Sequence, residues 1–137
     1  MSRDQSRPLP PAPLHILVAD DHPTNRRVAQ LLLSRIGYTS TTANDGIEVL
    51  AALENTPCDV LFLDVQMPRF DGLATARCLR ADPRQAHIWI VAMTANALDN
   101  DREACLQAGM NDYLSKPITT QALAAALTRA CAFASKA

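Results

Sequence analysis

The chain has 137 residues, of which 48% are hydrophobic and 20% charged, with a formal net charge of −1. That length suits one domain around one core, and the composition excludes a disordered or fibrous protein. The near-balanced charge excludes a broad basic footprint for nucleic acid, and no apolar run approaches the roughly 20 residues that span a bilayer.

In chain order, residues 1–13 come first. They carry Pro8, Pro10, Pro11 and Pro13 among polar residues and read as a flexible or polyproline-like arm or linker. The folded unit is expected over residues 14–135. Ile16-Leu17-Val18-Ala19 is a short apolar run, as in a strand buried on both faces. Val28, Leu31, Leu32, Arg35 and Ile36 recur at helical spacing, and Gly37 ends that helix. Arg26-Arg27 reads as part of its solvated face. Tyr38 to Thr42 is rich in β-branched residues and suits a strand near the sheet edge.

Asn44-Asp45-Gly46 opens a helix carrying Ile47, Val49, Leu50 and Leu53. Val60 to Leu63 is the most hydrophobic strand and is expected at the centre. Asp71 caps a helix with Leu73, Ala76, Cys78 and Leu79. Ile88 to Met93 is a fourth strand, Asp99 to Ala108 a polar helix closed by Gly109, and Asp112 to Ser115 a short fifth strand. Thr119 or Thr120 caps the last helix, whose stripe is Leu123, Ala124, Leu127 and Cys131.

Strands alternating with helices predict an α/β, flavodoxin-like (βα)5 three-layer sandwich with a parallel sheet in the order 2-1-3-4-5. Cys58, Cys78, Cys105 and Cys131 lack Cys-x-x-Cys spacing and read as reduced thiols of a cytoplasmic protein. No signal-peptide pattern is present, and no direct nucleic-acid or membrane contact is expected of this domain.

Four strand ends carry chemistry. The first run leads into Asp20-Asp21, the central one into Asp64, the fourth into Thr94 and the fifth into Lys116-Pro117. In a parallel sheet these residues emerge at one edge, where open α/β sheets bind ligands. Neighbouring carboxylates repel unless a cation relieves them, and their hard oxygens suit Mg2+, with Mn2+ as a substitute. Lys116 and Thr94 suit phosphoryl oxygens, and a carboxylate at the central strand end is placed to attack phosphorus. Each residue alone has an ordinary reading as a cap, turn former or surface group. The four ends together do not.

From Leu14 to about Phe133 the chain resembles the receiver domain of two-component signalling. The resemblance rests on Ile16 to Asp21, Leu63-Asp64-Val65-Gln66-Met67-Pro68-Arg69-Phe70-Asp71-Gly72, Met93-Thr94-Ala95-Asn96 and Gly109 to Pro117. It implies that Asp64 accepts a phosphoryl group from phosphohistidine on a histidine kinase or histidine phosphotransfer domain. It further implies that Asp20, Asp21, Asp64 and the Gln66 backbone carbonyl hold Mg2+, and that Lys116 follows the phosphoryl group through a cis bond to Pro117.

Thr94 and Tyr113 would form the switch, read out to a downstream effector through helix 4, strand 5 and helix 5. Gln66 and Asn96 flank the acceptor, and His22 is expected to face solvent at a helix start. The style of Asp20 to Arg26 is similar to receivers of bacterial hybrid sensor histidine kinases, though a single-domain regulator is also open. The isolated domain would not be an enzyme beyond its own phosphotransfer and dephosphorylation. A receiver-like module that takes no phosphate is the alternative. A small Mg-dependent aspartyl phosphatase is disfavoured because Gln66 stands where such enzymes place a second aspartate.

Overall fold

In this computed structural model, residues 14–67, 70–95 and 99–136 are described. The arm (residues 1–13) and Asn96 lie outside them. The elements run β1 (Ile16–Ala19), α1 (Pro23–Arg35), β2 (Thr41–Ala43), α2 (Gly46–Asn55), β3 (Val60–Asp64), α3 (Gly72–Ala81), β4 (Trp89–Thr94), α4 (Asp99–Gln107), β5 (Asp112–Ser115) and α5 (Thr120–Lys136). All pairings are parallel, in the order β2-β1-β3-β4-β5. The predicted architecture is the observed one, with β3 central and β2 at an edge.

Strand periodicity divides the core between the two faces of the sheet. Ile16, Val18, Val60, Phe62, Val91, Met93 and Leu114 pack with Leu33, Leu123 and Leu127 of α1 and α5. Leu17, Ala19, Leu61, Leu63, Ile90 and Ala92 pack with Val49, Leu53, Ala76, Leu79 and Cys105 of α2, α3 and α4. Burial on both faces is why the strands read as unbroken apolar runs rather than alternating ones.

The helix signals fall where the residues place them. Asp45 accepts the Glu48 N–H at 2.9 Å while Glu48 Oε1 accepts the N–H of Asn44, one residue before the cap, at 2.7 Å, so two backbone donors at the start of α2 are satisfied. Asp71 accepts the Ala74 N–H at 2.9 Å, and Thr119, rather than Thr120, accepts the Ala122 N–H at 3.1 Å. Gly37 and Gly109 follow α1 and α4 with φ of 99° and 100°, the left-handed turn that stops a helix.

Some stripes are corrected. Val28 and Leu31 are 41% and 55% exposed, while Ala29 and Leu33 face the sheet. Ile47 and Cys78 likewise face outward, and Ala126 and Ala130 join Leu123 and Leu127 beneath α5. Alanine carries little hydrophobic signal, so the buried register of α1 was hidden behind the larger residues beside it. The edge strand begins later than expected, at Thr41, and β4 extends one residue further to include Thr94.

At the amino edge of the sheet, the Arg80 guanidinium ties three segments together. It donates to Gly109 O at 2.7 Å, Ala86 O at 2.9 Å, Ile88 O at 2.8 Å and Asn111 Oδ1 at 2.6 Å. Asn111 Oδ1 also accepts the Ile90 N–H at 2.7 Å, so the entries to β4 and β5 are held together.

Candidate functional site

Register brings the chemical residues to one edge. Ala19 lies opposite Leu63 and Asp64 opposite Met93, so Asp20 and Asp64 leave adjacent strands at one level. Met93 lies opposite Leu114 and Thr94 opposite Ser115, which puts Lys116 two residues past that level. Backbone bonds fix the ends: Asp20 N–H donates to Ala43 O at 3.2 Å, Val65 N–H to Met93 O at 3.1 Å and Lys116 N–H to Thr94 O at 2.8 Å. Gly72, at the start of α3, passes so close to the end of β3 that a Cβ there would collide with the Asp64 carbonyl oxygen. The Lys116–Pro117 peptide is cis.

Asp20 and Asp64 are only 1% and 4% exposed, and Lys116 lies between them. Its ammonium is 3.1 Å from Asp20 Oδ2 and 3.3 Å from Asp64 Oδ2. Burial, reinforced by the Asp20 charge, pushes the Asp64 carboxyl up to about 6. Lys116 and the Gln66 N–H, which donates to Asp64 Oδ1 at 3.2 Å, pull in the opposite direction. Burial also works against the Lys116 ammonium, but the hydrogen bond to Asp20 and the two carboxylate charges outweigh it and raise its pKa. One cation between two buried anions leaves a site that is short of positive charge.

Asp21 is half-buried beside this pair. Its Oδ1 is buried and accepts no hydrogen bond among the described residues. Asp20, Asp21 and His22 offer ligand atoms within 4.8 Å of one another. Hard carboxylate oxygens, one lacking a donor, next to a desolvated acid, fit a small dication that keeps several waters.

Thr94 is buried at the end of β4, the strand between those carrying Asp64 and Lys116. Tyr113 is half-buried on β5, and the Arg102 guanidinium of α4 stands 4.7 Å from its ring centroid. The structure therefore gathers Asp20, Asp21, Asp64, Gln66, Thr94 and Lys116, with Tyr113 one strand away from Asp64's immediate neighbour.

Sequence reasoning passed over other contributors. Arg26 is not simply solvated: it is part-buried and donates to the Asp20 carbonyl at 2.8 Å. Its partner is a backbone atom, which leaves no residue pattern to read. The His22 ring does face solvent, yet its Nδ1 sits 3.1 Å from Asp21 Oδ1. Arg102 could only be found through the packing of α4 on β5.

A doubly wound parallel sheet with an acidic cluster and a lysine at its carboxyl edge defines the class of open α/β proteins that bind their ligands at the carboxyl ends of the strands. The family model of the response regulator receiver domain matches residues 16–128, and the chain belongs to that family.

Among curated proteins it is 42% identical over 108 residues to the sensor histidine kinase RcsC of Salmonella typhi, covering 79% of this chain and 11% of that protein. It is 42% identical over 113 residues to the sensor protein EvgS of Escherichia coli K12, covering 82% of this chain and 9% of that protein. The chain thus spans about a tenth of the length of these relatives.

Among solved structures, the receiver domain of sensor histidine kinase PA1611 from Pseudomonas aeruginosa PAO1 superposes with a TM-score of 0.79 at 41% identity. That match covers 86% of this chain and 97% of the other, whose active site cleft coordinates a magnesium ion. The receiver domain of Ssk1, solved with the histidine phosphotransfer protein Ypd1 of Saccharomyces cerevisiae, gives a TM-score of 0.82 at 26% identity, covering 89% of this chain and 92% of that one. No helix among the described residues is long and apolar enough to cross a membrane.

Proposed function

We propose that residues 14–135 form a phosphoacceptor domain in which Asp64 takes a phosphoryl group from phosphohistidine on a histidine kinase or histidine phosphotransfer domain. The carrying observation is the Lys116 ammonium within 3.3 Å of two buried carboxylates at one strand edge. An Asp64 carboxylate oxygen attacks phosphorus in line, the phosphorus–nitrogen bond of the donor breaks, and the imidazole leaves with the bonding electrons. Lys116, already beside Asp64, follows the charge from the carboxylate to the new phosphoryl oxygens. The Thr94 hydroxyl takes a second oxygen, and the Tyr113 ring responds to its movement.

Asp20, Asp21, Asp64 and the Gln66 carbonyl would hold Mg2+, which supplies neutralisation of the phosphoryl charge when bound. Mn2+ would serve in its place. The added phosphate, roughly −1.5 to −2 in charge, biases the α4–β5–α5 surface toward a downstream effector.

The similarity to RcsC, EvgS and PA1611 supports a cytoplasmic receiver of a hybrid sensor histidine kinase, with residues 1–13 as an interdomain linker. Acetyl phosphate with Mg2+ should add one phosphoryl group to the intact mass, and Asp64→Asn should abolish the gain. An unchanged wild-type mass would leave a protein-binding module that takes no phosphate.

A further inference from the structure

We propose that His22 is a direct ligand for transition-metal dications at the carboxylate site, giving the chain a stronger preference for Ni2+, Co2+ or Zn2+ over Mg2+ than its aspartates alone would confer. The inference rests on the reading that this edge binds a dication. It adds a nitrogen donor and the class of ion that donor selects.

The geometry begins at the start of α1. His22 is the N-cap residue, with φ −97° and ψ 119°, but its side chain makes no cap hydrogen bond. Its backbone N–H donates to Asp20 Oδ1 at 2.9 Å, and Pro23 follows as the first helical residue. The main chain is thereby fixed, while the imidazole has no task in the helix.

That ring lies against the acids. Nδ1 is 3.1 Å from Asp21 Oδ1 and 3.6 Å from Asp20 Oδ1. An octahedral ion with ligands at about 2.1 Å places adjacent ligand atoms about 3 Å apart, so these separations suit neighbouring positions on one ion. Despite the 3.1 Å approach, Asp21 Oδ1 accepts no hydrogen bond from the ring or from any other described residue. Two donor atoms converge at a separation that a shared cation would bridge. The side chain is 69% exposed, which leaves room for an ion to enter and keep its waters.

The chemistry then sorts the ions. Mg2+ favours oxygen ligands and parts reluctantly with water, so it gains little from an imidazole. Ni2+, Co2+ and Zn2+ favour imidazole and bind nitrogen–oxygen sites more strongly along the Irving–Williams series. Mn2+ falls between the two groups.

Calorimetric titration of the full chain with Mg2+, Mn2+ and Ni2+ tests this, comparing wild type with His22→Gln and with His87→Gln as a background histidine control. His22→Gln should weaken Ni2+ binding by about tenfold or more and Mn2+ binding by less, with Mg2+ affinity within about twofold of wild type. Co2+ should give the wild type a visible absorption band that His22→Gln changes and His87→Gln does not.

An equal loss for all three ions, no loss for Ni2+, or a Ni2+ loss shared by His87→Gln would overturn the assignment while leaving the phosphoacceptor reading intact. Wild-type Mg2+ binding that is undetectable, alongside His22-dependent Ni2+ binding, would instead sink the Mg2+ part of that reading and retain this one.

Discussion

At the amino edge of the sheet Arg80 donates to three backbone carbonyls and the Asn111 side chain, whereas at the carboxyl edge Lys116 faces the carboxylates of Asp20 and Asp64. Both edges place a long cation among several acceptors. Arg80 has neutral partners fixed by the backbone, so its network is satisfied and closes the fold. Lys116 has charged partners, one of them protonating near 6 because it is buried, so its network is under-neutralised. The first arrangement serves stability, and the second leaves a demand for positive charge that a dication can meet.

The largest stability effect should come from the amino edge. Arg80→Ala leaves several acceptors without their donor and should cost about 3 kcal/mol, lowering Tm by roughly 10 °C in a thermal melt. A loss no greater than that of an ordinary surface substitution would erase the contrast between the edges.

At the carboxyl edge the sign reverses. With metal removed, the Asp64 pKa is raised from 3.8 to about 6, so the folded state binds protons more tightly than the unfolded chain. Stability from this group is fully present below the ordinary carboxylate range and is lost as pH rises through about 6. Asp64→Asn, which is neutral throughout, should therefore be more stable than wild type above that range by about 2 kcal/mol, the gap closing on acidification. Urea melts across pH should show a gap that widens upward, and a pH-independent gap would refute the electrostatic account.

Smaller again is metal linkage. Mg2+ at about ten times its Kd should stabilise the wild type by about 1.4 kcal/mol, and Asp21→Ala should lose most of that increment. An equal Mg2+ shift in both proteins would place the ion elsewhere. The smallest effect is at Arg102. Arg102→Ala should cost about 0.5–1 kcal/mol, move the Tyr113 ring resonances and alter their response to phosphorylation. Unmoved ring resonances would remove Arg102 from the pathway between the two.

Much of the architecture was legible because strands buried on both faces write themselves as continuous apolar runs, each followed by a residue that packing does not require. The caps at Asp45 and Asp71 and the stops at Gly37 and Gly109 were equally local. What escaped was tertiary. The buried register of α1 turns on Ala29, which offers little contrast, while Val28 and Leu31 point outward. Arg26 and Arg80 act on carbonyl oxygens, which no side-chain pattern encodes. His22 looked like a solvent-facing helix start, and its exposure bears that out, but the distance to Asp21 emerges only from the fold.

The order β1-β3-β4-β5 carries a consequence for side-chain length. β4 stands between the strands that bear Asp64 and Lys116, and neighbouring strands lie roughly 4.8 Å apart. A cation leaving β5 must cross the whole width of β4 before it reaches an acid on β3 or β1. Lysine's four-carbon stem makes that crossing and ends in a compact charge that fits between two carboxylates. The spacing of the sheet thus acts as a ruler, and it selects the longest unbranched cation among the standard side chains.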